Sequence, residues 1–187
     1  MKKIVLASLL ILLVLVGCSP KDPMALGVYK DRQYTNNVFN YKFEVPETFA
    51  YLTSEELAVV NKERHEASEG AEEIDHVNKI FEFSNTNKTI INAMVDSRPS
   101  YFKNADKEMN LYLNFLTDAG IKYSAERVIV EIKGIAYERA DLTLDFNMKQ
   151  TVLIAVENDY LLNLQMTYSN GNEADVDTIL AMLSENE

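Results

Sequence analysis

Residues 150–168 read QTVLIAVENDYLLNLQMTY, and the order of apolar, turn and alternating segments in them decides the fold. From Val152 to Val156 every position is apolar, so a strand here presents hydrophobic side chains to both faces, the pattern of a strand near the middle of a covered sheet. Asn158-Asp159 is a two-residue hairpin turn, because both residues tolerate the positive φ that such turns require. Beyond it the chain alternates. Leu162, Leu164, Met166 and Tyr168 lie on one face, with Asn163, Gln165 and Thr167 opposite, which is a half-buried strand of period two.

The same logic extends outward. Upstream, Glu126 to Lys133 and Ile135 to Phe146 read as two further long strands joined at Gly134. The apolar parity changes between Tyr137 and Ala140, which predicts a bulge or bend near Glu138. Lys79 to Ser84 and Thr89 to Val95 form a hairpin about Asn85-Thr86-Asn87-Lys88. Ala105 to Ala119 repeats Met109, Tyr112, Leu113, Leu116 and Ala119 at helical spacing, with Gly120 as its stop. Leu52 to about Glu66 is a second helix. Thr53 and Glu56 make a capping box, Leu52 and Leu57 a hydrophobic staple, and Val60 continues the buried stripe. A third, Ala174 to Ser184, buries Val176, Ile179, Leu180 and Leu183. Near the start, Asn36-Asn37 is a turn. Phe39, Tyr41, Phe43 and Val45 then alternate on one face until Pro46 ends the strand. Hairpin connections predict an α+β domain over residues 34–187, a mainly antiparallel sheet of about 6–7 strands with helices on both faces.

Residues 1–17 have a different character. Lys2 and Lys3 precede an apolar run from Ile4 to Val16 broken only by Ser8. That is shorter than the roughly 20 residues a membrane span requires and matches a signal-peptide core. The segment ends Leu15-Val16-Gly17-Cys18, which resembles a bacterial lipobox. The resemblance implies cleavage between Gly17 and Cys18 and a diacylglyceryl group on the Cys18 thiol, the only cysteine in the chain. Residues 18–33 then form a lipidated amino terminus and short tether carrying Pro20 and Pro23. The expected location is the extracytoplasmic face of a cell membrane, held by lipid.

The leader holds two lysines and no acids, so the mature chain has sixteen Lys plus Arg against 29 Asp plus Glu, a net charge of −13. Such a surface repels nucleic acid and anionic headgroups. With Cys18 lipidated no thiol remains for a disulfide or a thiolate metal site, and packing alone must stabilise the domain.

The aromatic first strand (Tyr34, Asn36, Phe39, Tyr41, Phe43, Val45) closed by Pro46, the capped helix after it, the hairpins at Gly134 and Asn158-Asp159 and the short C-terminal helix together resemble the PsbP family. That family includes the extrinsic PsbP subunit of photosystem II and a Ran-binding nuclear transport factor. The resemblance spans about 150 residues and implies a PsbP-like fold with a non-catalytic accessory or binding role. Many members carry a tryptophan just after the proline; this chain has none, and Phe49 or Tyr51 stands in its place. The family supplies no functional residues at matching positions.

The remaining chemistry is sparse. His65, Glu69 and His76 are the candidates for a divalent metal, since imidazole with carboxylates suits zinc or nickel. However, residues 62–75 hold two bases and six acids, which is equally the composition of a solvated loop, and the His-Glu-x-x-His spacing is missing. No Gly-x-Ser-x-Gly elbow and no glycine-rich phosphate loop occur, so neither hydrolase chemistry nor a cofactor is expected. Among ten tyrosines, Tyr29, Tyr34, Tyr101 and Tyr123 fall near element ends and are expected to be exposed. The function expected is that of a surface-tethered, non-catalytic module with an envelope protein partner. The alternative is a small-ligand or metal-binding lipoprotein using the segment from His65 to His76.

Overall fold

In the computed structural model, which describes residues 27–67, 77–97 and 104–184, the doubly apolar segment is a central strand. The strands in chain order are β1 (Val28–Lys30), β2 (Gln33–Asn36), β3 (Tyr41–Glu44), β4 (Phe49–Tyr51) and β5 (Val77–Asn85). They continue as β6 (Ile90–Asp96), β7 (Tyr123–Ile132), β8 (Ile135–Leu144), β9 (Met148–Glu157) and β10 (Tyr160–Ser169). The helices are α1 (Ser54–Ala67), α2 (Ala105–Asp118) and α3 (Glu173–Ser184). Seven strands form one antiparallel sheet in the order β4-β5-β6-β10-β9-β8-β7, and β1-β2-β3 form a separate small sheet.

The predicted hairpins pair as their turn residues dictate. Asn158 and Asp159 take φ of 47° and 67°, and Tyr160 faces Glu157. Lys133 and Gly134 do the same at 51° and 78°, with Ile132 opposite Ile135. The capping box is present: Thr53 N–H donates to Glu56 Oε2 at 2.8 Å, and Glu56 N–H returns a bond to Thr53 Oγ1 at 3.3 Å.

Two cores sit on opposite faces of the large sheet. The larger joins Phe81, Phe83, Ile91, Ala93, Val95, Leu153, Ala155, Leu162, Leu164 and Met166 to α3 and the small sheet. The smaller joins Ala140, Leu142, Val152, Ile154 and Leu161 to Met109 and Leu116 of α2. Successive side chains of β9 therefore alternate between the cores, which is why that strand is apolar throughout.

The bulge expected near Glu138 is absent. Register against β7 runs unbroken along the whole of β8, and pairing with β9 begins only at Glu138 and continues without a shift to Leu144. Instead, Ile135 and Tyr137 point into the larger core while Ala140 and Leu142 point into the smaller. The parity changes because the cover changes sides, from the small sheet on one face to α2 on the other. The irregularity that does occur lies in β5, between Lys79 and Phe81.

The N-terminal reading shifts in two ways. Phe39, Tyr41, Phe43 and Val45 are buried as their alternation requires, yet only Tyr41–Glu44 is strand, and it belongs to the small sheet. Asn36 makes the predicted turn, its Oδ1 accepting from the N–H groups of Val38 and Phe39 at 2.9 and 3.0 Å. β1 also lies within the stretch expected to be tether. Arg32 ties it to the fold by donating to the carbonyls of Val45 at 2.9 Å, Phe49 at 2.8 Å and Pro46.

Candidate functional site

Four loops meet at one end of the large sheet. The turn joining β8 and β9 (Asp145–Asn147) carries Phe146 at φ 63°, ψ 30°, with 95% of its surface exposed. A bulky residue in the left-handed region costs about 1–2 kcal/mol, and a fully wet phenyl ring recovers none of it. Strain combined with exposure points to function rather than packing. Ile135 to Phe146 was expected to be continuous strand; it ends at Leu144, and Phe146 stands out of the turn.

The neighbouring surface is also apolar. Leu111 and Phe115 lie one turn apart on the outward side of α2, 51% and 63% exposed, and Ile121 follows beyond its C-terminus at 37%. Ile121 N–H bonds back to Leu116 O at 2.9 Å, and Asp145 N–H bonds to Lys122 O at 3.2 Å, so the helix end and the Phe146 turn are directly joined. α2 itself begins with a cap that the sequence reading missed: Asn104 Oδ1 accepts from Lys107 N–H at 2.8 Å.

This end is braced. Asn170 N–H donates to Asn147 O at 3.0 Å, and Asn172 Nδ2 donates to Asn87 O at 2.9 Å. Asp175 Oδ2 accepts from both Asn85 Nδ2 and Thr89 Oγ1, at 2.7 Å each. Lys149 and Glu173 pair at 2.7 Å below the turn. That bond raises the lysine pKa and lowers the carboxyl pKa from their ordinary values. Loops held this way present side chains in fixed positions, as binding loops on rigid scaffolds do.

A second feature is a cavity of about 230 Å³ lined by Gly27, Val28, Ser54, Leu57, Lys79 and Ile80. Its walls are mainly apolar. Lys79, its one charged liner, is already paired with Glu82. Such a space suits an apolar side chain or small ligand and offers no acid–base pair for chemistry.

The candidates named from sequence fare differently. His65 lies half-buried on α1, its Nε2 at 3.4 Å from Val77 O, turned toward β5. Glu69, His76, Tyr101, Gly17 and Cys18 lie outside the described residues. Among the described residues no group of three or more His, Cys, Asp or Glu side chains could hold a metal, and no helix is long and apolar enough to cross a membrane.

Tyr34 is not exposed, contrary to expectation. It is fully buried, its ring packed against Tyr29, Phe43 and Phe81 at 5.0–5.1 Å between centroids. Tyr29 packs between Tyr34 and Tyr51. Its buried hydroxyl has no partner among the described residues, and burial pushes its pKa far above the ordinary tyrosine range. Tyr123 is half-buried and donates to Leu113 O at 3.2 Å.

No family model matches the chain, and no curated protein matches it. Its fold does match solved structures. One is the solution structure of cyanobacterial PsbP (CyanoP) from Synechocystis sp. PCC 6803. The TM-score is 0.53 and the identity 10%, over 90% of this chain and 95% of that one. The PsbP-like fold expected from the aromatic first strand, the capped helix and the two long hairpins is therefore present.

Proposed function

We propose that this PsbP-like domain is a lipid-anchored extracytoplasmic module that acts by binding a protein partner at its apolar end, without catalysis. The observation that carries the reading is Phe146, held strained and 95% exposed on a braced turn that is joined through Lys122 to the end of the helix carrying exposed Leu111 and Phe115, just after Ile121. An aromatic anchor rimmed by aliphatic side chains is the usual centre of a protein interface. The position suits a tethered protein. The described chain begins at Gly27, against the cavity formed with Lys79 and Ile80. Those residues lie several positions down β5 from Asn85, whose loop belongs to the apolar end. At about 3.3 Å per residue Gly27 stands some 15–20 Å along β5 from Asn85, with Phe146 three strands further across the same end, so a lipid tether preceding Gly27 would leave the aromatic end free.

A photo-crosslinking residue at position 146 in the full chain tests the binding half. It should capture one envelope protein, which a probe at 115 also captures and which a probe at Lys42, on the small sheet, does not. Equal labelling from all three positions would refute the site. Cys18→Ser tests the anchor, because the variant should leave the membrane fraction; retention there would remove the lipid. The alternative use of His65, Glu69 and His76 for a divalent metal predicts a thermal shift with zinc or nickel that is lost in His65→Ala/His76→Ala.

A further inference from the structure

The two edges of the large sheet are treated differently. At one edge β4 is only three residues long, and the rest of β5 is shielded by α1: Asn61 Nδ2 donates to Lys79 O and Asn61 Oδ1 accepts from Lys79 N–H, both at 2.8 Å. Leu52 N–H also reaches Glu82 O at 3.0 Å. At the other edge β7 runs for ten residues with neither proline nor register shift. Among the described residues nothing pairs with its outer side. Val128 and Ile129 stand 52% and 68% exposed there. A long, unbroken open edge carrying exposed aliphatic side chains is the kind that proteins ordinarily blunt.

The turn geometry fixes which backbone groups are open. Ile132 and Ile135 flank the two-residue turn Lys133-Gly134, so they form a hydrogen-bonded pair, and alternation assigns the even residues of β7 to β8. The N–H and C=O groups of Ala125, Arg127, Ile129 and Glu131 therefore point outward.

We infer that β7 is a self-association edge, pairing antiparallel with β7 of a second copy about a two-fold axis through Ile129. A two-fold pairing must centre on a residue rather than midway between two, or the open donors and acceptors of the two copies miss one another; centring on Val128 or Val130 would set Arg127 opposite Ile129 or Lys133 and lose its ion pair. Centred on Ile129, Arg127 faces Glu131 of the second copy, and the same contact recurs on the other side of the axis. Ile129 meets its own equivalent, and Val128 lies opposite Val130. About six backbone hydrogen bonds form, from the three outward pairs at two each. Centring on Arg127 or Glu131 instead sets like charges face to face. Arg127 is already aimed: it donates to Asp106 Oδ1 at 2.7 Å, Asn110 Oδ1 at 2.8 Å and Glu138 Oε2 at 3.1 Å. The guanidinium is thus fixed on the sheet face where Glu131 of the second copy arrives. This edge is separate from the Phe146 end, so the inference stands or falls independently of the proposed function.

Cysteine crosslinking in membranes carrying the full chain tests it. Cα atoms of a hydrogen-bonded antiparallel pair lie about 5.5 Å apart, within disulfide reach. Ile129→Cys should give a disulfide-linked dimer under mild oxidation. Val128→Cys, whose counterpart is Val130, should give no more than the unsubstituted chain, in which Cys18 is the only cysteine. Adding Glu131→Arg to Ile129→Cys should cut the dimer yield on the order of tenfold, since two attractive cross-strand pairs become repulsive. Ile129→Pro should abolish association while leaving the circular dichroism spectrum and melting temperature intact, because the lost N–H points away from β8. Equal yields from Ile129→Cys and Val128→Cys would overturn the inference. So would crosslinking of Ile129→Cys to a different protein, which would mark the edge as a site for a partner's strand.

Discussion

Replacing Asn61 by leucine removes the side-chain amide that completes the edge of β5. Asn61 is 3% exposed, and its two 2.8 Å bonds saturate both backbone groups of Lys79, much as a residue of a neighbouring strand would. Leucine has the same branching and number of heavy atoms, so no cavity forms, and the loss is mainly that of the polar contribution. An orphaned, poorly hydrated N–H or C=O costs about 1–3 kcal/mol each. Lys79 sits at a partly wet edge, so the lower half of that range applies, and the pair amounts to about 3 kcal/mol. For a domain of this size that lowers the melting temperature by about 6–12 °C. Thermal unfolding followed by circular dichroism reads it directly. Exchange of the Lys79 amide should also accelerate, since that proton loses its acceptor. If Asn61→Leu melted at or above the parent temperature, the amide would be a tolerated polar group rather than a surrogate strand, and the account of this edge would be wrong.

Other outcomes follow from the same geometry. Tyr41 and Tyr137 share a buried hydroxyl–hydroxyl bond of 2.7 Å, and burial pushes Tyr137 from 10.0 up to about 12. A folded pKa raised above the unfolded one makes stability complete below pH 10.0, lost progressively as pH rises toward 12. Tyr41→Phe/Tyr137→Phe should flatten that alkaline limb in a pH series of melting temperatures. At the acid end, the capping bonds from Thr53 hold the Glu56 carboxyl below its usual 4.5. Its contribution is complete above 4.5 and disappears as pH falls through the lowered folded value, so Thr53→Ala should weaken the acid dependence of the melting temperature. Phe146→Gly should stabilise the domain by about 1 kcal/mol through relief of the left-handed phenylalanine, while abolishing partner capture. A destabilised variant would show that the ring packs after all.

What could be read from sequence was whatever chemistry is local. The capping box at Thr53 and Glu56, the Asn158-Asp159 and Gly134 turns and the alternation from Leu162 to Tyr168 need only neighbouring residues, and all are present. The parity change in β8 was visible, but its cause was not, because which face is covered depends on where α2 and the small sheet dock. β1 and β4, at three residues each, are too short to show a period. Tyr34 misled because an element end in sequence need not lie at the surface in space; Phe81 comes from nearly fifty residues away to bury it. The apolar end was hidden by Phe146 extending an apolar strand pattern. Reading Asp145-Phe146-Asn147 as turn chemistry between two alternating runs would have exposed it. The open edge of β7 left no mark in the chain, since an edge is defined by the strand that is missing.

The two cores differ greatly in size and share β9. The side on α2 buries seven side chains among the described residues, against twenty-five on the other. Lifting α2 away uncovers Val152 and Ile154 yet leaves Leu153 and Ala155 sealed beneath α3 and the small sheet. Breathing of this domain about β9 therefore has a preferred direction: of its two covers α2 opens more readily than α3 and the small sheet, while β9 and β10 are expected to exchange slowest. A partner gripping Phe115 on that helix would slow the opening, so occupancy at the apolar end would register as protection deep in the sheet.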